Sequence, residues 1–234
     1  MNGPPVRYYG SMTFQRARSE EHREIRRQAI LDTASAMLES MSVGEITLNE
    51  LSRRGRLAKS AMLRYFESRE AVLLELLDVA LRRWVTEVVA ELPRNTRSPK
   101  SAHTRGDHMA ALLSRSLQQH AVLCDLIAAQ PGVLEHNVSA ETLLRFKQSF
   151  HASINLLAEA IRHYIPELGD DSQRVCLLTL VTTGALWIYG HPSVSAVRAC
   201  QADPALAGLR LDFTSDLEET LARLIAGTLV RRAT

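Results

Sequence analysis

Residues 47–66, Thr-Leu-Asn-Glu-Leu-Ser-Arg-Arg-Gly-Arg-Leu-Ala-Lys-Ser-Ala-Met-Leu-Arg-Tyr-Phe, read as two short helices joined by a tight turn. Thr47-x-x-Glu50 has the form of a capping box, in which hydroxyl and carboxylate satisfy the backbone donors a helix start leaves open. Leu48 and Leu51 share one face, and Leu57, Met62 and Phe66 resume it after the turn. Gly55 is expected to supply the backbone freedom of that turn. The second helix is too short and polar to be explained by packing. Its outer face carries Lys59, Ser60 and Arg64, the composition of a helix that reads DNA.

The charge distribution points the same way. The 234-residue chain has a net charge of only +2. Residues 1–66 nevertheless hold 11 Lys/Arg against 7 Asp/Glu, an excess of +4 that leaves the remainder at −2. Arg53, Arg54, Arg56, Lys59 and Arg64 fall within twelve residues, with Glu50 as their near counter-charge. Positive charge concentrated on a helical hairpin is what a phosphate-binding surface requires.

Outward from the hairpin the chain reads as helix throughout. Residues 1–15 form an expected flexible arm. A charged helix over about 16–41 is predicted from Ile30, Ala34, Met37, Leu38 and Met41. Ser68 can cap a connecting helix over 68–91 with Ala71, Leu74, Leu77, Leu81, Trp84 and Val88 on one stripe. Residues 92–104 read as a loop. Helices are then expected near 105–119 and 121–129, the latter stopped by Pro131-Gly132. A long helix opens at Ser139 and reaches Tyr164. The next, 171–189, is capped by Asp170/Asp171 and apolar nearly all round, and a last one covers 212–231. The fold class is all-α with about nine helices: an arm (1–15), a three-helix helix-turn-helix domain (16–67), a connecting helix (68–91) and a larger helical ligand-binding and dimerisation domain (92–234).

Several function classes are disfavoured. No HExxH, GxSxG or phosphate-cradling Gly-rich loop appears, so the chain is not expected to be an enzyme or to need a cofactor. Three cysteines without a CxxC fit a reducing cytoplasm, and the first 20 residues lack a signal-peptide apolar run. The stretch 175–190 is too short for a membrane span. His120-x-x-x-Cys124, with His103 and His108 upstream, could offer two soft ligands, but a full zinc set at recognisable spacing is missing. No metal is therefore expected; a metal-responsive regulator on the same fold is the alternative reading, and an all-α enzyme a more distant one.

Residues 24–76 resemble the tetracycline-repressor (TetR) family of transcription regulators. The resemblance is carried by Ile46-Thr47-Leu48-x-x-Leu51-Ser52 and by Ala61-Met62-Leu63-Arg64-Tyr65-Phe66-Glu67-Ser68-Arg69-Glu70-Ala71-Val72-Leu73. The chain departs from the usual motif at Arg56, where the turn glycine commonly stands, and at Ala58, Leu63 and Tyr65. The resemblance implies that residues 58–64 lie in the major groove of an operator. Thr47 and Tyr65 would then hydrogen-bond phosphates, and Arg56, Lys59 and Arg69 would supply charge. Ser60, Ala61 and Arg64 would meet base edges, with Ala58 and Leu63 lying alongside. Arg7, Arg16 and Arg18 of the arm could add contacts. It further implies a homodimer through the last two long helices, a palindromic site, and a small-molecule effector that releases a repressor from DNA. Met109, Leu113, Leu117, Ile127, Phe146, Phe150, Thr183 and Trp187 are the candidate effector-lining residues.

Overall fold

In the computed structural model the described residues are 10–93 and 101–233. They form ten α-helices and no strand: α1 Gly10–Leu38, α2 Leu48–Arg54, α3 Lys59–Met62, α4 Arg69–Glu91, α5 Ala102–Gln118, α6 Ala121–Ala129, α7 Ala140–Tyr164, α8 Asp171–Gly190, α9 Val194–Ala202 and α10 Phe213–Ala233. Helix α1 begins at Gly10, so residues 10–15 belong to it rather than to an arm. Arg16 and Arg18 fall within α1, whereas Arg7 and residues 94–100 lie outside the described residues.

The N-terminal unit is held by one apolar interior. Ile30, Leu31, Ala34, Met37 and Leu38 of α1 meet Val43, Ile46, Leu51, Met62 and Phe66, closed from below by Ala71, Val72 and Leu74 of α4. Helix α2 is capped on one side only: the Thr47 hydroxyl accepts from the Glu50 amide at 3.1 Å. The Glu50 carboxylate does not return the bond, because Arg53 and Arg54, one helical turn on, bind it instead. The expected capping box is therefore half formed at 47–50. One element earlier the carboxylate does reach back: Glu45 accepts from the Ser42 amide and hydroxyl at 2.8 and 2.9 Å.

The turn differs from expectation in an informative way. Gly55 has φ −73°, within ordinary right-handed space. Arg56 is the residue in left-handed space, at φ 50°. Glycine at 55 is explained by crowding, since a Cβ there would meet the Leu51 carbonyl oxygen at 2.9 Å.

Helix α4 runs from the first unit into the second and packs on α1, α5, α6 and α7. Its start is fixed by the Ser68 hydroxyl, which accepts from the Ala71 amide at 3.1 Å. Trp84, fully buried on α4, donates its indole N–H to Ser116 Oγ of α5 at 3.0 Å. Helix α5 lies along α10, close enough that a Cβ at Gly106 would stand 2.8 Å from Ile225 Cγ2. Helix α8 packs inward on α6, α7 and α10.

Four local expectations are corrected. Helix α5 starts at Ala102, because Ser101 supplies a cap to the Thr104 amide at 3.1 Å. The chain does not break at Pro131-Gly132 but widens into a π turn over Gln130–Leu134, closed by the Glu135 amide on the Gln130 carbonyl at 3.2 Å. Neither acid caps α8: Asp170 makes no side-chain capping bond, and Asp171 accepts from Arg232 at 2.8 Å. Helix α9 was not expected. It buries no residue: its short apolar stripe, Val194, Val197 and Cys200, stays exposed or half-buried. No single helix among the described residues is long and apolar enough to cross a membrane.

Candidate nucleic-acid interface and effector cleft

The outer surface of the hairpin is built by subtraction. Glu50 binds Arg53 through two nitrogens at 3.0 and 2.5 Å and Arg54 at 2.9 Å. Those guanidiniums, Arg53 foremost, hold its carboxyl down to about 2, so it stays charged through neutral pH. Arg56, Lys59 and Arg64 have no acidic partner among the described residues, and all three are exposed. Ser60 and Ala58 are exposed beside them, Ala61 is half-buried, and Leu63 turns its apolar side chain outward at 45% exposure. Met62 between them is 1% exposed and anchors the helix to the interior. Thr47 is exposed and Tyr65 half-buried at the ends of the same surface.

Arg69 is placed differently from the other basic candidates. Its guanidinium donates to the Ile46 carbonyl at 2.6 Å and to Glu70 at 2.7 Å. It braces the loop before α2 against the start of α4.

A second brace was not anticipated. Arg27 of α1 donates to the Tyr65 carbonyl at 2.6 Å, pairs with Glu75 of α4, and lies over the Phe66 ring at 4.4 Å. One guanidinium thus joins three elements around the end of the recognition segment. Its signal in the sequence is positional: Arg27 continues the inward stripe of Ile30, Leu31 and Ala34 by one turn. Burial pushes the Glu75 carboxyl up despite the Arg27 charge beside it.

The effector candidates are dispersed. Met109, Leu113 and Leu117 are fully buried on the inner face of α5. Phe146 faces a groove against α1 and α4, lined also by Glu75 and Asp78. Thr183 is buried, with its hydroxyl donating to the Thr179 carbonyl at 2.8 Å. Trp187 donates to Asp125 Oδ1 at 2.5 Å and stands edge-on to Phe213 with centroids 4.8 Å apart. Ile127 and Phe150 do come together, in an open cleft of about 480 Å³ between α6, α7 and α8. Leu177, Leu180, Val181 and Ile188 complete its apolar wall, and Lys147 paired with Glu135 stands at its rim. These four α8 residues escaped notice because an all-apolar helix does not reveal which face borders a space.

Two residues of the alternative metal reading, His120 and Cys124, are occupied by protein partners. His120 contacts the Ser116 carbonyl and Glu87, each at 2.8 Å. The Cys124 thiol donates to the Leu117 carbonyl at 3.3 Å, and burial pushes it up, away from thiolate.

A cationic recognition segment on a buried three-helix base, continued by one long helix into a larger helical domain, defines a DNA-binding regulator of the helix-turn-helix class. Residues 78–232 match the family model described as "Tetracyclin repressor-like, C-terminal domain". The chain belongs to the TetR family of transcription regulators. Its fold is similar to that of a TetR transcriptional regulator from Rhodococcus sp. RHA1, at 14% identity and a TM-score of 0.55 over 92% of this chain and 98% of that one. It is also similar to the fatty acid degradation regulator FadR from Bacillus halodurans, at 15% identity and a TM-score of 0.50 over 86% and 95%. No curated protein matches the sequence.

Proposed function

We propose that the protein is a cytoplasmic homodimeric repressor that binds a palindromic operator through residues 58–65 and is released by a small apolar effector. The observation that carries the DNA-reading part is the set of exposed cations Arg56, Lys59 and Arg64, without an acidic partner among the described residues, around Ser60 on a segment whose inward residues Met62 and Phe66 are buried. Lys59 and Arg56 contact phosphates, with Thr47 and Tyr65 adding hydrogen bonds. Arg64 and Ser60 reach base edges, and Ala61 contacts a thymine methyl. Arg69 acts as a brace, since its donors are engaged within the protein.

Dimerisation is supported by α8, where Tyr189, outside the cleft, is 68% exposed. Val230 of α10 is 55% exposed, with Gly227 and Ala226 near it to allow close approach of a second copy. The two helices pack together and supply half of a four-helix bundle. The effector site supported best is the α6–α7–α8 cleft, apolar apart from the Lys147–Glu135 rim.

Fluorescence anisotropy on operator and scrambled duplexes tests the assignment. Lys59→Ala is expected to weaken binding to both and to flatten the salt dependence. Arg64→Ala should cost about 1–3 kcal/mol on operator only. Equal losses on both duplexes would remove Arg64 from base reading. Light scattering at micromolar concentration should return the mass of two chains; a monomer would overturn the dimer.

A further inference from the structure

Glu67 lies between Phe66, the last buried residue of the recognition segment, and Ser68, the cap of α4. Its carboxylate turns away from both. It accepts the backbone amide of Ser139 at 2.7 Å, a contact between residues 72 apart in the chain. Ser139 is the cap of α7, a helix of 25 residues, so the carboxylate also meets the positive end of that helix. The Ser139 amide, with smaller help from the Thr142 and Ser139 side chains and from Arg145, holds the Glu67 carboxyl below the usual carboxylate range. The DNA-binding unit is thereby fastened to α7 next to its recognition segment.

The other end of this fastening reaches the cleft. Gln130, Pro131 and Glu135 line the cleft through the π turn, and π turns are frequent at functional positions. The turn is braced by Gln130 donating to Glu135 at 2.9 Å and by the Lys147–Glu135 pair. From Glu135 only three residues lead to Ser139, no more than about 14 Å of chain. Among them Asn137 is in the left-handed conformation at φ 57°, and Val138 packs against the core.

We propose that Glu67 is a positioning residue for DNA binding, through which residues 130–139 convey the state of the α6–α7–α8 cleft to the recognition segment. The proposal rests on the effector reading of that cleft. A molecule that displaces the π turn moves Ser139 and withdraws the amide from Glu67, which frees the α3–α4 junction. Ligand affinity then differs between the fastened and released states, the condition any such coupling must meet.

Hydrogen–deuterium exchange on the full chain tests this directly. Glu67→Ala and Ser139→Pro each remove one partner; the proline fits because Ser139 has φ −68°. Each should speed amide exchange over residues 58–66 by about three- to ten-fold, scaled for a single exposed charge-assisted bond. The double variant should add nothing further. Ser139→Ala keeps the amide and should leave 58–66 unchanged. Exchange altered only over 136–145 would make Glu67 a mere cap of α7 and overturn the proposal. In a second arm, anilinonaphthalene sulfonate serves as the apolar cleft probe, with occupancy read from its own fluorescence. Saturation should speed exchange over 58–66 in the natural sequence and not further in Glu67→Ala. Enhanced fluorescence with 58–66 unmoved would also overturn it. Absence of any enhancement would count against the effector cleft, while the variants still decide the role of Glu67.

Discussion

Replacing Arg56 by glycine should raise stability and lower DNA affinity at once. Arg56 holds φ 50° in the turn between α2 and α3. A side chain in left-handed space costs about 1–2 kcal/mol. Glycine removes that cost but loses about 0.5–1 kcal/mol more backbone entropy on folding. The net gain is about 0.5–1 kcal/mol, comparable to other backbone-matched substitutions. For a chain of 234 residues this corresponds to a rise in Tm of about 2 °C. On the DNA side Arg56 is exposed and, with Lys59 and Arg64 of the same hairpin, has no acidic partner among the described residues. A dimer loses two such charges, which flattens the log–log salt dependence by about 1.8 if each meets a phosphate. Scanning calorimetry and anisotropy titrations from about 50 to about 200 mM salt measure the two effects separately. Arg56→Ala is the control, with the same salt slope change and no thermal gain. A Tm for Arg56→Gly no higher than for Arg56→Ala would refute the strained turn. An unchanged salt slope would refute the phosphate contact.

Three further outcomes are expected. Arg27→Ala should destabilise the protein by about 2 kcal/mol, through the lost bond to the Tyr65 carbonyl, the Glu75 pair and the Phe66 contact, measured by urea titration. Gly106→Ala should cost about 1–3 kcal/mol by forcing α5 away from Ile225 of α10, and a neutral result would contradict the close packing of those helices. The folded pKa of Glu50 is depressed to about 2 from 4.5, so its contribution is complete above about 4.5 and lost as pH falls toward 2. An acid titration followed by circular dichroism should therefore show Glu50→Gln less sensitive than the natural sequence in that window.

Much of the architecture was legible because buried helix faces impose periodic apolar residues. Helices α4 and α7 followed from their stripes and from caps at Ser68 and Ser139, which bond as expected. Features without a buried face escaped. Helix α9 buries no residue, and the π turn at Pro131 resembles a break because proline and glycine mark both. At the hairpin, residue types were informative but competition among them was not. Glu50 could serve either the Thr47 cap or two arginines, and the arginines prevail. Gly55 reads as a source of left-handed backbone, yet crowding against Leu51 explains it and Arg56 takes the unusual φ. The cleft was least legible, since Ile127 and Phe150 lie on stripes indistinguishable from those of Leu113 or Leu117, which are core. Contacts such as Arg27–Tyr65 and Glu67–Ser139 join residues far apart in the chain and leave little local trace.

Selection of bound duplexes from a random pool tests the central claim most directly. A homodimer reading DNA with residues 58–65 should enrich an inverted repeat whose half-sites are related by the protein's two-fold axis. Arg64→Ala should relax one position in each half of that repeat. Enrichment of no sequence over the starting pool, or of a site without two-fold symmetry, would contradict the account.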